Sequence, residues 1–172
     1  MIAFDRTLPP LLAELHRLEL DYADGEGIDF EPFDEFLSAS ENASWIAAWT
    51  GNKALDGAEY RIFGQDGTGG YAAFWLTRES APLLEQPIVF LGSEGDVGVI
   101  ARDFADYLWL LAAGLGPFEA IECPSSQCRG LPHFIAFATA NAPSRRRPVS
   151  EILDAAAKEF PSFAGDVRAA CR

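Results

Sequence analysis

The hydrophobic residues of this chain follow helical spacing near both ends and strand-like spacing in the middle. Five leucines recur three or four positions apart near the N-terminus and predict a first helix, opened by Pro9 and Pro10: Leu8, Leu11, Leu12, Leu15 and Leu18. The apolar positions of residues 33–37 predict a further short helix. Another is expected over residues 41–50, where Gly51 would end it.

The middle of the chain has the pattern of two β-hairpins. Residues 59–64 and 71–77 are rich in aromatic and aliphatic side chains, and the glycine-rich segment QDGTGG between them is typical of a turn. Residues 88–91 and 97–101 form a second pair around the turn GSEGD. Pro87 stands at the entry of that pair, where a missing amide donor can be accommodated.

Helical patterns return after the second hairpin. Asp103 can cap a helix that carries the apolar stripe Phe104, Leu108 and Leu111 and ends at Gly114. The remaining segments are expected to be a loop (121–130), a short ambiguous element (134–139), a basic linker (142–148), a helix (151–160) and a further helix (165–170). This order predicts one α+β domain, in which helices pack an antiparallel-rich or mixed β-sheet and residues 142–172 form a C-terminal helical extension.

Composition narrows the classes of function. A hydrophobic fraction of 49% among 172 residues is enough to build the core of one domain. The net charge of −13 disfavours nucleic acid and anionic membranes, and it suits a basic protein partner. The opening residues lack a basic region followed by an apolar one, and the longest later apolar stretch (107–115) is well short of the ~20 residues that span a bilayer. A cytoplasmic protein is therefore expected.

Several motifs could suggest chemistry, but the sequence favours simpler interpretations. The QDGTGG segment lacks the Lys and Ser or Thr of a phosphate-binding loop, and a strand follows it. Glu94 and Asp96 could form an acid/base pair or a cation site, although a solvated turn is the more economical interpretation. A zinc site at Cys123, Cys128 and His133 has atypical spacing and lacks a fourth ligand, which favours free thiols. The chain has neither G-x-S-x-G nor H-E-x-x-H, so we expect no enzyme and no cofactor.

Residues 60–119 resemble a known family over an ordered set of features. These are the strand–turn–strand segment YRIFGQDGTGGYAAFWL, the hairpin IVFLGSEGDVGVIA and the acid-capped helix DFADYLWLLA, followed by GPFE. In this order they resemble the SUKH superfamily, which includes a yeast cell-wall-synthesis regulator and many bacterial immunity proteins. The resemblance implies a sheet packed by helices, no catalytic residues, and neutralisation of a toxin, often a nuclease or deaminase, by direct binding.

Acidic residues are the candidate contacts for such a partner. Residues 21–41 include eight acids and no base, with phenylalanines between them. The first predicted patch comprises Asp24, Glu26, Asp29, Glu31, Asp34 and Glu35, and the second comprises Glu94, Asp96, Asp103 and Asp106. The alternatives are a solvated acidic face whose phenylalanines point inward, a scaffold for an endogenous partner, and a small hydrolase or metal-dependent enzyme. The sequence does not fix the oligomeric state.

Overall fold

The computed structural model describes residues 4–124 and 129–172, which form one α+β fold of seven α-helices and a five-stranded antiparallel sheet. The helices are α1 (Pro10–Leu15), α2 (Ala39–Thr50), α3 (Phe104–Ala112), α4 (Pro117–Glu122), α5 (Pro132–Asn141), α6 (Val149–Glu159) and α7 (Phe163–Ala170). The strands are β1 (Glu31–Pro32), β2 (Tyr60–Gln65), β3 (Tyr71–Trp75), β4 (Ile88–Leu91) and β5 (Val97–Ala101). The predicted fold class is confirmed.

The sheet follows chain order, β1-β2-β3-β4-β5, and each strand is antiparallel to its neighbours. Both predicted hairpins are confirmed, since Gln65 pairs with Tyr71 across the first turn and Leu91 pairs with Val97 across the second. The connection between β3 and β4 lies at the other end of the sheet. The sheet is therefore antiparallel throughout rather than mixed.

Both faces of the sheet are buried because helices cover each of them. Phe63, Phe74 and Phe90 pack on one face with residues of α1, α3 and α5. Ile62 and Val89 point to the opposite face, where α2 and α7 supply the facing side chains. Because successive side chains of a strand alternate between faces, a sheet covered twice can bury every residue of an unbroken apolar strand. All four residues of β4 are buried in this way.

Side chains cap the starts of α2 and α3, and a glycine ends α2 as predicted. Ser38 Oγ accepts a hydrogen bond from the Glu41 N–H (3.2 Å), and the Glu41 carboxylate accepts one from the Ser38 N–H (2.8 Å), which makes a capping box at α2. Gly51 ends the same helix with φ of 66°, a left-handed conformation that glycine adopts without strain. Asp103 caps α3 by accepting from the Asp106 N–H (2.9 Å), which confirms the predicted cap.

The short helix predicted over residues 33–37 is wrong. The N–H of Phe33 donates to the carbonyl of Phe63 (2.9 Å), and the N–H of Leu37 donates to that of Ile62 (3.1 Å). This segment therefore continues alongside β2 after the two residues of β1. Its apolar side chains have helical spacing, but its amides are already bonded to the neighbouring strand.

The second half of the chain contains more helix than the sequence predicts. The expected loop over residues 121–130 is wrong at its start, because residues 121 and 122 belong to α4. Residues 125–128 of that loop lie outside the described residues. The ambiguous segment 134–139 lies within α5. The predicted last two helices are confirmed as α6 and α7, and the basic linker before them has no regular structure.

Candidate partner-binding surface

The two β-turns meet at one end of the sheet. Strands β2 and β4 run towards this end and β3 and β5 run away from it, so the 66–70 and 92–96 turns are neighbours. The hydroxyl groups of Thr68 and Ser93 lie 2.8 Å apart and share a hydrogen bond between the turns. We call this region the hairpin-tip end and assign to it seven acidic residues: Asp29, Glu31, Asp66, Glu94, Asp96, Glu119 and Glu122.

Two acids of the first predicted patch lie at the hairpin-tip end. Asp29 Oδ1 accepts a hydrogen bond from the Gly67 N–H (2.9 Å), which attaches the acidic N-terminal segment to the first turn. Glu31 is the partner of Gln65 in the sheet, and its carboxylate accepts from the Gln65 side-chain amide (2.9 Å). These contacts place residues more than thirty positions apart on one surface.

Helix α4 brings two further acids that the sequence did not identify. Glu119 accepts hydrogen bonds from the N–H groups of Asp29 (2.8 Å) and Gly116 (3.0 Å). Burial raises the pKa of the Glu119 carboxyl, and these hydrogen bonds partly oppose that rise. The pKa of the exposed Glu122 is raised by desolvation and by the hydrogen bond and negative charge of Asp96. Negative charge is therefore concentrated between α4 and the second turn.

Asp66 is the buried acid of the hairpin-tip end, with 3% of its surface exposed. Its Oδ1 organises the first turn by accepting from the Thr68 N–H, the Thr68 hydroxyl and the Gly70 N–H, each at 2.8 Å. Its Oδ2 is buried and has no hydrogen-bond partner among the described residues. A buried carboxylate oxygen without a donor is uncommon in proteins and calls for a physical explanation.

The other four acids of the first predicted patch lie away from the sheet end or on its flank. Asp24 and Glu26 are exposed in and beside the short 3₁₀ turn at Ala23–Gly25. Asp34 and Glu35 are exposed where the chain runs beside β2, and Glu35 forms an ion pair with Arg6 (2.8 Å). Of the first predicted patch, only Asp29 and Glu31 therefore reach the hairpin-tip end.

The second predicted patch is split by the structure. Glu94 and Asp96 are exposed in the turn between β4 and β5, whereas Asp103 and Asp106 follow the far end of β5. Asp103 is engaged as a helix cap. Asp106 is 1% exposed and forms ion pairs with Arg102 (2.9 Å) and with Arg147. Asp106 therefore stabilises the fold and is not available to a partner, because its charge is already matched by two arginines.

The residues considered for a metal site are not assembled as one in the described parts of the chain. Cys123 is exposed, and His133 Nε2 lies 2.8 Å from the carbonyl oxygen of Glu19, which occupies that nitrogen. Cys128 lies outside the described residues. Within residues 4–124 and 129–172, no group of three or more His, Cys, Asp and Glu side chains could hold a metal ion.

Comparison with protein-family models, with curated proteins and with solved structures finds no match to this chain. In the portion of the chain that the structure describes, every helix is too short or too polar to cross a bilayer. The acidic residues of the hairpin-tip end and their contacts are the features on which a function can be argued.

Proposed function

We propose that this chain is a non-catalytic binding protein of the immunity type and a member of the SUKH superfamily. In this proposal it acts in the cytoplasm, where its hairpin-tip end covers the basic surface of a toxin domain of the nuclease or deaminase class. The single observation that carries the proposal is the concentration of carboxylates at that end, in a chain whose net charge is −13. The family resemblance of residues 60–119 supports the same role.

Charge complementarity explains why such a surface suits a toxin that acts on nucleic acid. A domain that binds phosphate groups presents lysine and arginine side chains to them. An inhibitor with carboxylates in matching positions competes for those side chains, and its negative field accelerates encounter with the toxin. Neither effect requires a catalytic group on the inhibitor.

The hairpin-tip end is also held in position before any partner arrives. The Asp29–Gly67 bond joins the N-terminal segment to the first turn, and the Thr68–Ser93 bond joins the two turns. Glu119 closes the start of α4 onto Asp29. Because these elements are already connected, binding would cost little ordering of the surface, and this favours affinity.

The test begins with capture of partners by the tagged full-length chain from lysate of its source organism, at low and moderate salt. The proposal predicts one basic protein retained in stoichiometric amount, more strongly at low salt. It further predicts that this protein is lethal when expressed alone and harmless when expressed with the chain. Recovery of non-toxic endogenous proteins instead would contradict the immunity role and would identify the chain as a scaffold.

Matched variants then assign the interface. One variant neutralises three hairpin-tip acids: Asp29→Asn, Glu94→Gln and Asp96→Asn. Its control neutralises three exposed acids at the opposite end of the sheet: Glu59→Gln, Glu79→Gln and Glu85→Gln. Both variants change the net charge equally, so loss of protection by the first alone supports the proposed surface, whereas equal protection by both would refute it.

A further inference from the structure

A small cavity lies between the two turns and α4, at the centre of the hairpin-tip end. It encloses about 250 Å³. Its walls include four carboxylates and two aromatic rings: Asp66, Glu94, Asp96, Glu122, Phe90 and Phe118. This volume is below the roughly 300–1,000 Å³ typical of sites for drug-sized ligands, so it suits one side chain better than a metabolite.

One wall of the cavity is formed by Asp66, whose Oδ2 has no hydrogen-bond partner among the described residues. A β-carbon placed on Gly70 would lie 3.1 Å from Asp66 Oδ2, 2.8 Å from the ring of Phe90 and 3.1 Å from the α-carbon of Gly92. Gly70 thus allows Asp66 Oδ2, Phe90 and Gly92 to pack closely around it, and Asp66, Phe90 and Gly92 all line the cavity. The buried oxygen therefore belongs to a residue of the cavity wall, and no donor from the described residues satisfies it.

Negative charge in this cavity is not matched by the chain's own cations in the structure. The ion pairs among the described residues join other acids to arginine, and none includes Asp66, Glu94, Asp96 or Glu122. Arg168 lines a neighbouring hollow beside Glu94 without forming an ion pair. Desolvation raises the pKa of Glu122, and the hydrogen bond and negative charge of Asp96 raise it further.

We propose that this cavity receives a single arginine side chain of the partner protein. This inference rests on the proposed function and adds to it the chemistry of the central contact. The guanidinium group would donate to the unpartnered Oδ2 of Asp66 in the cavity wall, with Asp96 and Glu122 accepting further hydrogen bonds. Its stem and planar face would pack against Phe118 and the edge of Phe90, whose centroids are 6.3 Å apart.

Arginine fits these walls better than other cations do. Its planar guanidinium presents five N–H donors and stacks on aromatic rings, whereas the lysine ammonium is a compact and strongly hydrated charge. Arginine is also enriched among the residues that dominate binding energy at the centres of interfaces. A metal ion is a poor occupant, because the described residues do not bring three ligating side chains together.

The test uses nuclear magnetic resonance of the full-length protein and three small probes, so it does not depend on knowing the partner. The probes are N-acetyl-arginine amide, N-acetyl-lysine amide and the uncharged N-acetyl-citrulline amide. The chain contains a built-in reporter, since the indole N–H of Trp49 donates to the carbonyl of Gly92 (2.9 Å) at the cavity wall. Trp109 on α3 is the distant control, and its indole N–H donates to the carbonyl of Ser144 (3.2 Å).

The arginine probe should cause saturable shifts at the Thr68, Ser93 and Trp49 N–H signals, with a dissociation constant on the order of 1 mM. The lysine probe should bind several-fold more weakly, the citrulline probe should cause no saturable shift, and the Trp109 signal should stay in place. Asp66→Asn, which retains the turn acceptor, should weaken the arginine probe at least fivefold. The double variant Glu94→Gln with Asp96→Asn is a second test, because it changes only exposed side chains and leaves the buried ones unchanged.

Arginine shifts that are equal in Asp66→Asn and wild type, or that spread evenly over exposed acids, would overturn the cavity assignment. If the lysine probe binds more tightly than the arginine probe, lysine is the better occupant of the cavity, and this result would equally contradict the proposal. These outcomes are separate from the proposed function: a chain that protects against its toxin but does not bind the arginine probe refutes only the cavity. A chain that binds the probe but protects against no toxin refutes only the immunity role.

Discussion

Replacing Asp106 with asparagine should destabilise the protein without affecting partner binding. The Asp106 side chain is 2% exposed, and its two oxygens pair with Arg102 and Arg147, which are 33% and 27% exposed. Removing one partner of a fully buried ion pair costs about 3–5 kcal/mol. Both arginines can regain part of their hydration, so we expect a smaller loss of about 2 kcal/mol, within the range for hydrogen bonds to charged groups.

The measurement is urea denaturation followed by circular dichroism, with thermal unfolding in parallel. A loss of ~2 kcal/mol in a protein of this size should lower the melting temperature by about 4–8 °C. The control is Asp154→Asn, which neutralises an exposed acid on α6 and should change stability by less than ~0.5 kcal/mol.

A double-mutant cycle separates the ion pair from other effects of the substitution. Arg147→Ala alone should also destabilise, because Arg147 holds the 142–148 linker against α3 through Asp106. Combined with Asp106→Asn, the two losses should be less than additive by about 1 kcal/mol. An additive cycle, or an Asp106→Asn loss no larger than that of the control, would refute the assignment of Asp106 as a stabilising residue.

Three further predictions concern local structure. Ser38→Ala removes the capping box of α2 and should lower the free energy of unfolding in urea by about 1 kcal/mol. Ser40→Ala, at an exposed position two residues later, should cost less than half of that. Gly64→Ala places a β-carbon 2.1 Å from the ring of Phe30 and 2.9 Å from the carbonyl oxygen of Glu31. The variant should therefore lower the free energy of unfolding by at least ~1 kcal/mol and increase hydrogen exchange first in β1. Amides of β1 that stay protected would contradict this. Burial lowers the pKa of His16, whereas the histidine of the unfolded chain has its ordinary pKa near 6.5. The stability that the neutral ring provides is therefore full above about pH 6.5 and is lost as the pH falls from there through the lowered pKa of the folded state. Unfolding free energies measured at pH 7.5 and 5.5 should therefore fall more in wild type than in His16→Gln, by at most about 1.4 kcal/mol per pH unit, and equal falls would contradict a buried neutral His16.

Local patterns in the sequence were sufficient to predict the hairpins and most helices. The alternation around QDGTGG and GSEGD identifies four of the five strands, because each turn and its two strands are adjacent in the chain. Asp103 identifies the start of α3 for the same local reason. Strand β1 could not be predicted this way, since it has two residues, includes Pro32 and exists only through pairing with β2.

The candidate surface was only partly predictable because its members come from separate segments. Glu94 and Asp96 were identified from their turn, and Asp29 and Glu31 from their acidic context. In the sequence, Asp66 belongs to a glycine-rich turn, and nothing local indicates that its side chain is buried. Glu122 falls in the loop predicted over residues 121–130, because Gly116 and Pro117 suggest the end of regular structure and do not indicate that α4 begins there.

The burial of Asp106 also depends on contacts distant in sequence. Its partner Arg147 comes from the basic linker, forty-one positions away. In the sequence, Asp106 has the same acidic context as the exposed Asp96. The docking of the linker onto α3, together with the local ion pair to Arg102, distinguishes an acid that stabilises the fold from one that can meet a partner.

The most direct test of the central proposal is the association rate of the purified chain with its captured basic partner, measured by stopped flow across a range of salt. We expect the triple variant Asp29→Asn with Glu94→Gln and Asp96→Asn to slow association and to flatten its salt dependence. The control Glu59→Gln with Glu79→Gln and Glu85→Gln should change both far less. If the two triple variants associate at the same rate in low salt, the hairpin-tip end is not the surface that meets the partner.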